Sequence, residues 1–334
     1  MHTPDFATPA PAPAPPVRKP DAGPVAVPAA PGGELAQALE LRAAAAWPDI
    51  AKAARAALAA GKTAEAERLH REAILAAVPG AVYPAGLPPL KPAPDDIRID
   101  LTLKTGSKTG TETEAETRNA EVPLNEANWW RWIYFGPGTL GSTRAHTEAV
   151  ITHELVHVRQ LRDQRLAWNA LPAAGRPTWD DYIRPFNLDV RVHGPQELEA
   201  YRTGLGFLSR LDKKERREAL RGVFVSYVNA TAYAPAAGVA LEISTATVGP
   251  ELLDAYAKAS PDLQNELGAE LWWSLLYVDP AKEVWQRVLV ELAPIARKGY
   301  EDATFRPHYD TFLRLKGLTF ADVMGGKADA GTGP

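Results

Sequence analysis

The chain has 334 residues, of which 46% are hydrophobic and 23% charged, with a formal net charge of -4 and no cysteine. That length and apolar content suffice for one large or two modest domains. The slightly acidic balance gives no drive toward nucleic acid or an anionic membrane, disulfides are excluded, and any zinc site has to be built from His, Asp or Glu. No apolar run approaches the roughly 20 residues that a membrane span requires. No signal-like apolar core follows the first basic residues, which points to a cytoplasmic protein and is equally compatible with non-Sec delivery outside the cell.

Residues 1–33 alternate Pro and Ala, most densely in Pro9–Pro16. This composition reads as a disordered, polyproline-leaning tail, either an inert tether or a site for a protein partner. Residues 34–90 read as a helical hairpin and linker. Pro48 is expected to open one helix that Gly61 ends, and Thr63 to cap the next, which Pro79-Gly80 stops. The stretch resembles a single tetratricopeptide hairpin, too few repeats for an array, and His70 is expected on its surface. A proline-rich connection runs from Tyr83 to Pro94.

Ile97–Lys104 alternates without a break and predicts a half-buried strand with Ile97, Ile99, Leu101 and Leu103 inward. The polar segment 105–121 is expected as a hairpin or loop. Asn128–Phe135 is aromatic and strand-like, ended by Gly136-Pro137-Gly138, and its tryptophans suit either a core or the rim of a cleft.

The stretch of most consequence is His153-Glu154-Leu155-Val156-His157. Ser142 or Thr143 can cap a helix that runs to about Leu166 with no proline or glycine. On it His153 and His157 share a face, with Cβ atoms about 5–6 Å apart, so both imidazoles can reach one metal ion. Glu154 stands about 100° round the axis from His153, beside the metal direction, where a general base for an activated water belongs. Ile151, Leu155 and Val158 point about 140–200° away from His153 and are expected to be buried.

A catalytic zinc takes three protein ligands and keeps one position open. Gln160 and Asp163 stand where the pattern HExxHxxGxxH needs Gly and His, which excludes a third ligand there. Pro195 is expected to open a second helix bearing Glu197 and Glu199, which are about 200° apart, so only one of them can face a metal held by the first helix. His193, just before that helix, and Asp180, in Thr178-Trp179-Asp180-Asp181-Tyr182, are the other candidates. From 216 to 320 the pattern is helical, with Lys213–Arg221 as a solvated charged face, Phe224, Tyr227 and Val228 opposite it, and Trp272 and Trp273 expected in the core. Pro280 is expected to start a helix bearing Val284, Val288, Leu289 and Leu292, His308 to lie in a loop, and 321–334 to form a flexible tail.

HELVH followed by a helix with Glu197-x-x-Ala200 resembles the glutamate-type zincin metallopeptidases, the gluzincins. The run HELVHVRQ at 153–160 is also similar to small bacterial zincin domains associated with contractile injection systems. The resemblance covers about residues 95–215. It implies an α+β, mainly helical fold, in which a zincin-like core at 91–215 carries a small twisted sheet and the HExxH helix, flanked by the N-terminal hairpin and a C-terminal helical region. It implies one Zn²⁺ held by His153, His157 and Glu197, Glu154 as the general base, and hydrolysis of a peptide or protein substrate beside an edge strand preceding the metal helix. The family often has Asp where this chain has Tyr201, so Tyr201 is expected instead as a hydrogen-bond donor, and Tyr201, His193 and His308 are the candidates to stabilise an oxyanion. The alternative is a non-catalytic zincin-shaped module or the scaffold of a delivered effector, binding partners through its tail or helices.

Overall fold

Alanine, which loses least on entering a helix, crowds residues 34–79, and amphipathic patterning continues beyond 196. The chain accordingly is mainly helical, with one three-stranded mixed sheet among the described residues. The computed structural model describes residues 33–103, 115–118, 128–188, 190–237 and 239–321. The Pro/Ala-rich tail, most of the polar segment 105–121 and all but the first residue of 321–334 lie outside them. The chain divides into two units, Met1–Leu39 and Glu40–Pro334. In the first, helical backbone is described from Gly33 onward.

Helix α1 (Gly33–Ala59) and helix α2 (Thr63–Ala77) form the expected hairpin, turned at Gly61, whose φ of +70° suits glycine. Pro48 does not open α1 but lies within it. Trp47 and Ala51, on either side of Pro48, are both buried, and that packing carries the helix through the proline. Thr63 is the first helical residue rather than a side-chain cap. His70 is fully buried, not on the surface, with Nδ1 2.8 Å from the Ala66 carbonyl. It falls on the face shared by Ala66, Ala73 and Ala77, all buried.

The sheet is shorter than its sequence pattern. Strand β1 comprises only Arg98–Ile99, because Asp100 accepts hydrogen bonds from the Thr102 amide (3.0 Å) and hydroxyl (2.6 Å) and turns the chain. Asn128–Phe135 is likewise only half a strand: Trp129–Trp132 form a 3-10 turn, and β3 is Ile133–Phe135. Strand β2 (Ala115–Thr117) pairs antiparallel with β3, and β1 pairs parallel with it, in the order β1-β3-β2. The strand preceding the HExxH helix is therefore central among the described strands, and the edge strand near that helix is β2. Trp129, Trp130 and Trp132 are buried, and Trp130 Nε1 donates to the Leu90 carbonyl at 2.6 Å, so these rings are core rather than cleft rim.

Helix α3 (Arg144–Asn169) carries HELVH and runs between two hydrophobic cores. Thr143 caps it, accepting from the His146 amide at 3.1 Å. Ile151, Leu155 and Val158 are fully buried against α1, α2 and the sheet, each contributing on the order of 1.5–3 kcal/mol. On the other side Ala145 joins a second core formed with α5 (Val190–Arg202) and the helices α6 (Lys213–Ala237), α7 (Val239–Lys258), α8 (Pro261–Val278), α9 (Lys282–Glu291), α10 (Ala293–Tyr300) and α11 (Arg306–Leu315). Helix α4 (Trp179–Leu188) links α3 to α5.

Four expectations change here. Pro195 lies inside α5, which starts at Val190. Helix α9 starts at Lys282, two residues after Pro280. The charged start of α6 is only partly solvated: Glu215 is buried, and Arg217 and Arg221 each reach the buried Glu270 of α8 at 2.6 Å. Trp272 is core, but Trp273 is 36% exposed, stacked on Tyr277 and covered by Arg221. No described helix is long and apolar enough to cross a membrane.

Candidate metal centre

Helical spacing puts His153 and His157 on the α3 face turned toward α5, and α5 presents Glu197 to both. His153 Nε2 and His157 Nε2 are 3.0 Å apart. Glu197 Oε1 lies 3.3 Å from His157 Nε2, and Oε2 lies 3.6 Å from His153 Nε2. These three residues are the group among the described residues whose donor atoms could hold a metal ion, all within 4.8 Å of one another. Two ligands at 2.0–2.1 Å from a tetrahedral zinc stand about 3.3–3.4 Å apart. The imidazole nitrogens are 3.0 Å apart, and the carboxylate approaches them through different oxygens, at 3.3 Å from His157 and 3.6 Å from His153, so the donor types suit Zn²⁺ and the spacing lies near what it takes.

The carboxylates around His157 favour positive charge on its ring. Burial pushes the His157 imidazole down, but the charge and hydrogen bond of Glu197, the charge of Glu154 and the bond to Gln160 outweigh it and raise it to about 9. In the metal-free protein a proton on His157 answers the carboxylates; a bound metal ion would answer them in its place. Burial pushes the Glu154 carboxyl up to about 7, with the charge of His157 and the Thr117 hydroxyl pulling the other way. Glu154 is 5% exposed, and its Oε2 accepts from Thr117 Oγ1 at 2.7 Å. Pairing of Thr117 with Ile133 sets that hydroxyl over α3.

The other candidates separate from the cluster. Glu199 accepts from Arg159 Nη2 at 2.5 Å and Gln160 Nε2 at 2.9 Å, tying α5 to α3 beside the histidines instead of facing them. Asp180 is exposed in the first turn of α4. His193 lies in α5 among residues whose side chains are not described. His308 is exposed, in the first turn of α11 rather than a loop, next to Tyr309, which stacks on Trp272 in the C-terminal core. Tyr201 packs edge-on against His153, ring centroids 4.4 Å apart, and also lies against Gly222 of α6, where a Cβ would stand 2.4 Å from the ring.

Three contributors escaped the sequence. Gln160 Oε1 lies 2.8 Å from His157 Nδ1, a partner signalled by its place three residues on in the same helix. Arg159, which orients Glu199, had the same kind of signal. Thr117 had none, because only strand pairing brings it to Glu154. Comparison with protein-family models, with curated proteins and with solved structures finds no match for this chain.

Proposed function

We propose that the protein is a zinc-dependent hydrolase of peptide bonds, with His153, His157 and Glu197 as the metal ligands and Glu154 as the general base. The observation that carries this reading is the convergence of two imidazole nitrogens and a carboxylate within 4.8 Å, beside a second, buried carboxylate raised to about 7. A structural zinc site has no use for that second carboxylate. Zn²⁺, when bound, supplies Lewis acidity toward a carbonyl and toward water. Glu154 takes the proton of the attacking water and returns it to the leaving amine, and a value near 7 suits both directions of transfer. The Thr117 hydroxyl donates to Oε2 and steadies the carboxylate for that transfer. Tyr201 braces His153 and is the candidate oxyanion donor that touches the ligand set. The choice of a peptide bond rests on the resemblance of HELVH and the Glu197-x-x-Ala200 helix to the glutamate-type zincins.

The test is metal content and turnover. Purified protein is expected to hold one zinc per chain by mass spectrometry and to cleave members of a mixed peptide library. Glu154→Gln is expected to keep the zinc and lose about 10²–10⁴-fold in kcat. Full activity in that variant removes Glu154 as the base. Zinc without cleavage of any peptide by the wild type favours a non-catalytic binding module, and protein without zinc removes the centre itself.

A further inference from the structure

We propose that Gln160 is a positioning residue of the metal centre, whose amide holds the proton of His157 on Nδ1 and also docks the turn of α5 that carries Glu197. The inference rests on the ligand set proposed above and extends it to a residue one turn beyond. Gln160 is 8% exposed and has three partners. Its Nε2 donates to the Gln196 carbonyl at 3.1 Å and to Glu199 Oε2 at 2.9 Å. Both partners only accept, so a flipped amide would set its oxygen against a carbonyl and a carboxylate. That determines the amide's direction and leaves Oε1 facing His157 Nδ1 at 2.8 Å.

An amide oxygen accepts but cannot donate, so Nδ1 carries the hydrogen. In the neutral ring the lone pair then sits on Nε2, the nitrogen 3.0 Å from His153 Nε2 and 3.3 Å from Glu197 Oε1. Arg159 Nη2 holds the same Glu199 oxygen at 2.5 Å, which keeps the acceptor in place. Gln196 and Glu199 flank Glu197 in α5. One amide thus ties the second histidine on α3 to the stretch of α5 bearing the carboxylate ligand. Loss of such an orienting partner typically costs 10–100-fold in metal affinity.

Gln160→Met is close in volume and has no amide. Two measurements test it. In competition with a chromophoric chelator, the variant is expected to bind Zn²⁺ about 10–100-fold more weakly than the wild type. In long-range ¹H–¹⁵N spectra of the metal-free protein, taken on the alkaline side of the His157 titration, the wild-type imidazole is expected to be protonated on Nδ1 and the variant to shift toward Nε2. Unchanged affinity with the proton still on Nδ1 in the variant overturns the proposal, as does weaker affinity with that proton unmoved, which would leave Gln160 a packing role alone. A wild-type spectrum with the proton on Nε2 also overturns it, so a variant that fails to fold does not shelter the idea. If the wild type binds no Zn²⁺, the metal-centre reading falls, and the spectrum still decides the hydrogen bond.

Discussion

Two polar clusters lie along α3, about ten residues and therefore roughly 15 Å apart. Both are made of carboxylates and their partners from a later helix. At the N-terminus, Glu215 of α6 accepts from the Ser142 amide (2.7 Å), the Thr143 amide (2.9 Å) and the Thr143 hydroxyl (2.6 Å). It also accepts from the Asp212 amide while Asp212 accepts from the Glu215 amide, a reciprocal capping box for α6. Donors and acceptors there are matched, and the result is two helix ends closed by one side chain. In the middle of α3, Glu197 faces two imidazole nitrogens, and the neighbouring Glu154 is buried. There the carboxylate meets ring nitrogens instead of backbone amides, the arrangement on which the proposed metal centre rests. Buried carboxylates as such therefore do not mark a functional site; the kind of group they face is what separates the two clusters.

Variants should break the two clusters in opposite ways. The largest effect is expected from His157→Ala, which removes one of three proposed ligands: dialysed protein should hold no stoichiometric zinc by mass spectrometry, while a thermal melt of the metal-free form changes little. Zinc retained in full would end the distinction. Glu215→Ala should do the reverse, keeping the zinc but losing on the order of 2–4 kcal/mol in a urea titration, since it strands the Ser142 and Thr143 amides and opens the capping box. A loss under half a kcal/mol would mean that water replaces the carboxylate.

A smaller effect is expected where the C-terminal core touches the centre. Gly222→Ala sets a Cβ 2.4 Å from the Tyr201 ring and should cost about 1–3 kcal/mol. The ring must shift from His153 to relieve the clash, and fluorescence of a zinc-competing chelator should then report weaker metal binding than in wild type. Unaltered metal binding would separate Tyr201 from the centre.

The smallest effect concerns pH. Burial pushes the Glu215 carboxyl up, but Thr143, His146 and the Asp212 amide more than compensate, and it stays below its ordinary value of 4.5. A carboxyl lowered by folding stabilises the protein above its unfolded value and loses that contribution as pH falls through the folded one. The stability gap between wild type and Glu215→Gln should thus be full at neutral pH and shrink below about pH 4.5, as read by urea midpoints across an acid series. A gap that does not change with pH would show that Glu215 acts through its shape and not its charge.

Local pattern explains what was legible. HELVH, the Thr143 cap and the buried face at Ile151, Leu155 and Val158 are properties of one helix, where spacing alone decides which side chains meet. The helical hairpin was legible for the same reason, although α1 passes through Pro48 because packing of Trp47 and Ala51 outweighs one lost hydrogen bond. The strands are shorter than their sequence patterns. Alternation in 97–104 and aromatic content in 128–135 give the propensity for extension, but the Asp100 turn and the 3-10 turn of the tryptophans cut both short.

The amino-acid sequence by itself determined the two histidines of the candidate centre, the glutamate beside them and the exclusion of sulfur ligands, because these follow from composition and from the 3.6-residue period of one helix. Only the tertiary structure decided that Glu197 rather than Glu199 faces the histidines, that Thr117 reaches Glu154, and that Gln160 spans from His157 to α5. Each of those depends on the packing of separate elements, which places side chains to within an ångström through contacts far apart in the chain. No periodicity within one segment carries that information.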